Sequence, residues 1–124
     1  MAERSYYSNI EEDSIRNGAY RHVQYTDDNI QVVLMTLRPK EEIGEESHSG
    51  GSQFFRVERG TGLAIIEGRG YILSDGVALV VPPGRLHNII NTSDAPLHLY
   101  TIYSPPHHPP KTYQITKPLE EFSL

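Results

Sequence analysis

The chain contains no cysteine, which removes a disulfide framework and a zinc ribbon from consideration and fits a reducing compartment. Basic charge is also in short supply: 11 Lys and Arg stand against 16 Asp and Glu, for a formal net charge of −5. Those cations are scattered rather than gathered on one stretch, so no basic face is available to track phosphates, and nucleic acid is not expected as a partner. Long apolar runs are missing as well. The longest is VALVV at 77–81, far short of the roughly 20 residues that a membrane-spanning helix needs. The opening MAERSYYSNIEEDS lacks the apolar core of a signal peptide. Together these absences predict a soluble, cytoplasmic protein with no membrane partner.

What remains is a modest globular composition. The chain has 124 residues beginning with Met1, 37% of them hydrophobic, which suits one domain over 1–124 with a single core. Short strand-like segments are cut by Gly, Asn, Asp and Pro: YRHVQY (20–25), IQVVLMTL (30–37), QFFRVER (53–59), GLAIIE (62–67), YILS (71–74), VALVV (77–81), HNIIN (87–91) and LHLYTIY (97–103). Turn chemistry separates them, in TDDN, GTG, EGRG, SDG, PPGR and TSDAP. Such close, even spacing predicts an all-β antiparallel sandwich or barrel.

Alternation supports half-buried strands. Gln53, Phe55 and Val57 share one face of their strand and Phe54 and Arg56 the other; Leu97, Leu99, Thr101 and Tyr103 share a face of theirs. VVLM and VALVV are apolar on both faces, which calls for a second layer, either another sheet or a second subunit. With Phe54 on an outer face, this predicts a homodimer, the commonest soluble oligomer. Only NIEEDSIRN (9–17) has a helical pattern. The tail SPPHHPPKTYQITKPLEEFSL (104–124) is proline-rich and is expected to run extended without ladder donors. His107 and His108 are adjacent, so they should point apart and read as ordinary tail residues.

Two stretches carry chemistry. In GEESHSGGSQFFRVERG (44–60), Glu46 and His48 lie two apart, so on a strand their side chains share a face. If SGGS reverses the chain, Gln53 opens the partner strand opposite His48. A carboxylate, an imidazole and an amide oxygen would then reach one point. In GVALVVPPGRLHNIIN (76–91), Pro82, Pro83 and Gly84 make a rigid turn and His87 opens a strand, with Ile89 and Asn91 on its face. A histidine at an apolar strand mouth needs partners for its ring nitrogens. The bland alternatives are a satisfied core histidine at His87, an exposed loop residue at His48, a solvated acidic run at Glu46 and a simple hydrogen-bond partner at Gln53. Asn91 and Gly84 read as structural. Glu42 and His98 have no evident role.

The second stretch resembles the second cupin motif, Gly-x5-Pro-x-Gly-x2-His-x3-Asn, with Gly76, Pro82, Gly84, His87 and Asn91 at every fixed position. The first resembles the first cupin motif, Gly-x5-His-x-His-x4-Glu-x6-Gly, with departures. His48 matches the second histidine and Gly60 the closing glycine, while Lys40 replaces the opening glycine, Glu46 the first histidine and Gln53 the glutamate. The resemblance covers about residues 30–103. It implies a cupin-type jelly-roll double-stranded β-barrel, core about 20–103, with a short N-terminal extension and the tail outside it. It also implies a metal site at Glu46, His48, Gln53 and His87. The exchanges keep the ligand charge at minus one and retain two imidazoles with one carboxylate, the set of non-haem Fe(II) oxygenases.

The expected cofactor is therefore a divalent transition metal ion, Fe, Mn, Ni or Zn. Three functions follow from the resemblance: a small metal-dependent enzyme, oxygenase or isomerase in type, acting on a small organic acid or sugar-like molecule; a non-catalytic metal or small-ligand binding module; or a barrel kept only as a scaffold. Ligand-type residues at all four positions argue against the scaffold. Tyr100, Tyr103 and Arg85 are candidates for contact with a small-molecule ligand, and no nucleophile–base pair is evident. No helix-turn-helix segment flanks the barrel, which disfavours a transcription factor.

Overall fold

The computed structural model describes residues 5–121; residues 1–4 and 122–124, the ends of the N-terminal stretch and of the tail, lie outside the described residues. A short helix, α1 (Ile10–Arg16), forms where the helical pattern predicts it. Its cap explains its start: the Asn9 side chain accepts the Glu12 N–H at 3.0 Å, and Glu11, Glu12 and Asp13 place negative charge on the first turn.

Eight strands follow at the expected places: β1 (Arg21–Thr26), β2 (Gln31–Leu37), β3 (Ser52–Arg59), β4 (Gly62–Ile66), β5 (Arg69–Leu73), β6 (Ala78–Val81), β7 (His87–Ile90) and β8 (Leu97–Ser104). A ninth, β9 (Tyr113–Gln114), lies in the tail, which also forms a single 3₁₀ turn at Leu119–Glu121. The strands make a six-stranded sheet in the order β6-β3-β8-β2-β1-β9 and a three-stranded sheet in the order β5-β4-β7. Every pairing is antiparallel. The β4–β5 hairpin turns through Glu67 and Gly68, both at positive φ (50° and 79°), the geometry that lets a two-residue loop follow the strand twist.

The core fills the space between the two sheets. Val33, Met35, Phe55, Val57, Leu97 and Leu99 come from the larger sheet and Ala64, Leu73 and Ile89 from the smaller, all 2% exposed or less. The alternation in β3 and β8 is therefore real: Gln53, Phe55 and Val57, and Leu97, Leu99, Thr101 and Tyr103, all point inward and are buried. This is a jelly-roll arrangement, although no ladder among the described residues closes the two sheets into one ring.

Two expectations change. All seven residues of β2 are buried, and the second layer over its outer face comes from the same chain. α1 packs against β2 and β8, and the Thr36 hydroxyl donates to the Asn17 carbonyl just after the helix at 2.7 Å. The apolar β2 thus needs no second subunit. The tail also does not run free. It folds back so that β9 pairs with β1, and Arg21, 3% exposed, holds the Glu121 carboxylate through both terminal nitrogens at 3.0 Å. Lys117 Nζ donates to the Glu42 carbonyl at 2.8 Å. The prolines only bridge the crossing, and the donors that make the ladder come from the residues after them. No helix among the described residues is long and apolar enough to cross a membrane.

Candidate metal centre

The centre is built on the first residue of β7. The Glu46 and His87 backbones exchange both hydrogen bonds, at 3.0 and 2.9 Å, and directly opposed residues of an antiparallel pair project their side chains to the same face. His48, two residues beyond Glu46, joins that face, and its carbonyl accepts from the Gly84 N–H at 2.9 Å. Residues 42–48 therefore extend the smaller sheet along β7. This corrects the predicted SGGS hairpin: His48 does not pair with Gln53. Gln53 lies on β3, in the other sheet, paired with Val81 and Tyr103. The SGGS stretch crosses between sheets, because the backbone of 46–48 already has its partner in the 84–87 segment.

One ligand atom each from Glu46, His48 and His87 lies within 4.8 Å of the others. Glu46 Oε1 is 3.3 Å from His48 Nε2 and 3.6 Å from His87 Nε2. Neither approach has the geometry of a hydrogen bond, so both Nε2 atoms are buried without a partner, as is Gln53 Oε1. Native interiors seldom leave such atoms unsatisfied. His87 Nδ1 lies 2.9 Å from the Arg85 carbonyl. A carbonyl only accepts, so in the neutral ring Nδ1 carries the hydrogen and the Nε2 lone pair faces the cluster. Gln53 has a matching arrangement: Nε2 donates to Thr101 Oγ1 at 3.0 Å, which fixes the amide and leaves Oε1 free.

The charges of this cluster are coupled. Burial pushes the Glu46 carboxyl up, but the imidazoles of His87 and His48 outweigh it and hold its pKa below the ordinary value. Burial lowers His87, yet the Glu46 carboxylate and the Arg85 carbonyl more than offset this, and its pKa is raised.

Other predicted residues resolve individually. Asn91 is structural: fully buried, it donates to the Leu37, Arg38 and Ala95 carbonyls at 3.1, 3.0 and 2.8 Å. Glu42 accepts from Asn88 Nδ2 at 2.9 Å, and His98 Nδ1 meets the Thr36 hydroxyl at 3.1 Å. Tyr103 borders a cavity beside His48. Tyr100 does not; it sits on the opposite face of β8 with its ring near Phe54. Arg85 acts on the cluster through its carbonyl, while its side chain lines a separate groove with Tyr71 and Val80.

The tail histidines are the residues that sequence reasoning missed. The His107 ring lies 4.2 Å from that of His48, and His108 Nε2 is 3.3 Å from the Tyr103 hydroxyl. Burial, then the nearby Arg21 and His107, push His108 down to about 3, so it is neutral. The only signal in the sequence is the His-His pair between prolines, which does not say where the tail goes.

The sequence model for the cupin domain matches residues 33–103. The chain belongs to the cupin family. This cupin is 40% identical over 117 residues to the uncharacterized protein L612 of Acanthamoeba polyphaga mimivirus, covering 91% of this chain and 73% of that one. It is 39% identical over 115 residues to the uncharacterized protein YrkC of Bacillus subtilis, covering 88% of this chain but only 62% of YrkC. Among solved structures it is similar to BH2720 from Bacillus halodurans, with a TM-score of 0.89 and 41% identity over 92% of this chain and 91% of that one.

Proposed function

We propose that this cupin binds one divalent transition metal ion through Glu46, His48 and His87, with Gln53 Oε1 as a fourth donor. We further propose that it acts as a small metal-dependent enzyme, oxygenase or isomerase in type, on a small organic acid or sugar-like molecule. The observation that carries the reading is the convergence of buried, unpartnered donor atoms, His48 Nε2 and His87 Nε2, on one carboxylate. A cation satisfies all of them at once. The mixed N/O set suits Fe, Mn, Ni or Zn.

The chain's own residues supply the conditions for such a site. The Glu46 carboxylate is the only negative donor in the set and provides the counter-charge. The Arg85 carbonyl fixes the tautomer of His87, and Thr101 orients the amide of Gln53. When bound, an ion with open positions supplies Lewis-acid or redox chemistry. Elemental analysis of protein purified without a histidine tag, followed by O₂ uptake with the Fe(II) form, tests the reading. Substoichiometric metal after reconstitution at neutral pH would refute the site. Full loading with no turnover of any small acid or sugar would leave the non-catalytic binding module.

A further inference from the structure

Two cavities open on the Glu46–His48 pair, and one residue borders both. A cavity of about 320 Å³ lies beside His48, walled by the 47–52 loop, Tyr103 and the tail at Pro105, Pro106 and His107. A second, of about 370 Å³, lies beside Glu46 and also includes His107. The two differ in charge. The second presents the carboxylates of Glu45, Glu46 and Glu121, and its one arginine, Arg21, is already bonded to Glu121. The first has no acidic residue in its wall and offers serine, glycine backbone and imidazole instead.

His107 is firmly placed and yet unused. Its backbone N–H and that of His108 both donate to Gln31 Oε1, at 3.1 and 3.0 Å, and Gln31 Nε2 donates back to the His108 carbonyl at 2.7 Å. Gln31 is completely buried. The His107 ring stacks on Tyr103, with centroids 5.3 Å apart and planes 23° from parallel, and packs against His48. No hydrogen bond among the described residues reaches either ring nitrogen, although the residue is exposed to the mouth. A neutral imidazole always has one N–H to donate, and a residue whose backbone is held by a buried amide and whose ring lies against two aromatic neighbours meets a ligand with little freedom left to lose.

The 47–52 loop is shaped to receive the tail. A Cβ on Gly51 would stand 2.3 Å from the Ser104 carbonyl oxygen and 2.6 Å from Pro105 Cδ. Gly51 is not in the left-handed region, so the close approach of the tail, and not backbone strain, excludes a side chain there. The His48-side cavity therefore exists in this form only with the tail across the mouth.

We infer that His107 is a ligand-contacting residue, donating a hydrogen bond to a small carboxylate-bearing molecule held in the cavity beside His48. This rests on the metal reading above: a doubly charged ion facing one carboxylate leaves the centre net positive, which attracts an anion. With Glu46 set against the ion and Glu121 against Arg21, Glu45 is the uncompensated carboxylate of the other cavity, whereas the first cavity has no acidic wall, so the anion takes the His48 side.

The test uses the full chain loaded with Co(II), with oxalate and glycolate as probes, read by the visible Co(II) spectrum and by calorimetry. His107→Ala is expected to weaken both probes at least tenfold while Co(II) affinity stays within twofold. His107→Gln, which keeps a donor, is expected to recover most of the loss. Gly51→Ala, which displaces the tail but removes no donor, is expected to weaken the probes as His107→Ala does. Unchanged probe affinity in His107→Ala overturns the inference. So does a tenfold fall in its Co(II) affinity, which would make His107 a metal ligand. An unmutated protein that takes up no Co(II) defeats the metal reading first, before any probe is added, and the inference falls with it.

Discussion

Glu46 and His87 meet across a reciprocal backbone bridge, and the same bridge sets their side chains side by side, Oε1 to Nε2 at 3.6 Å. The position of the carboxylate is thus set by main-chain pairing and does not depend on a flexible loop. Substituting Glu46 should leave that pairing intact, so its variants report on the carboxylate itself.

Glu46→Gln should weaken divalent metal binding at least roughly tenfold, since a partly buried cation loses its only negative donor. Glu42→Gln and Glu45→Gln are the controls, because both acids lie near the mouth but outside the cluster. Glu46→His should retain binding with an altered metal preference. Calorimetry on the four variants decides it; equal affinity for Glu46→Gln and the unmutated protein would remove Glu46 from the ligand set.

The electrostatics predict opposite pH dependences for the metal-free and metal-bound forms. The raised His87 contributes stability that is complete below its ordinary value of 6.5 and is lost as pH rises through its folded value. The lowered Glu46 contributes stability present above its ordinary 4.5 and lost as pH falls through its folded value. Both express one Glu46–His87 attraction, so it serves the metal-free protein best between 4.5 and 6.5. An ion needs the neutral imidazole, so its affinity rises as pH passes through the raised folded value of His87, above 6.5. Thermal melts with and without Zn(II) should show a small metal-dependent gain near about pH 5.5 and a large one near about pH 8. Equal gains would contradict this.

Asn91→Leu should destabilise the fold by about 2 kcal/mol, because three carbonyls lose the donor they share on a fully buried side chain. Urea unfolding measures it. A loss under about 1 kcal/mol would mean that the carbonyls find other partners.

A dimer remains our proposal, but on a different face. With β2 covered by its own chain, the face proposed instead carries Ile72 (81% exposed), Val80 (57%) and Leu86 (45%), which are among the exposed apolar residues, the first two on β5 and β6, which end their sheets. Light scattering should give about twice 14.0 kDa for the unmutated chain, and Val80→Glu should shift it to the monomer mass. A 14.0 kDa species at micromolar concentration without mutation would end the idea.

Local pattern was enough to place all eight main strands, the helix and the inward faces of β3 and β8. Each rests on side-chain alternation, capping or turn chemistry, which the nearest few residues decide. Glu46, His48 and His87 were legible for the same reason: a two-residue spacing puts the first two on one face, and the residues around His87 carry the cupin pattern. What the chain could not announce was pairing at a distance. Whether residues 46–48 pair with β3 or with β7 depends on which backbone donors are free after the sheets assemble, and only the fold assigned them to His87 and Gly84. The same holds for the tail. His107 and His108 follow two prolines and look unattached in one dimension. A buried glutamine 76 residues earlier binds their backbone, and a glycine without room for a methyl group lets the tail approach. Together these bring His107 to the cluster of Glu46, His48 and His87, through contacts that exist only once both sheets are in place.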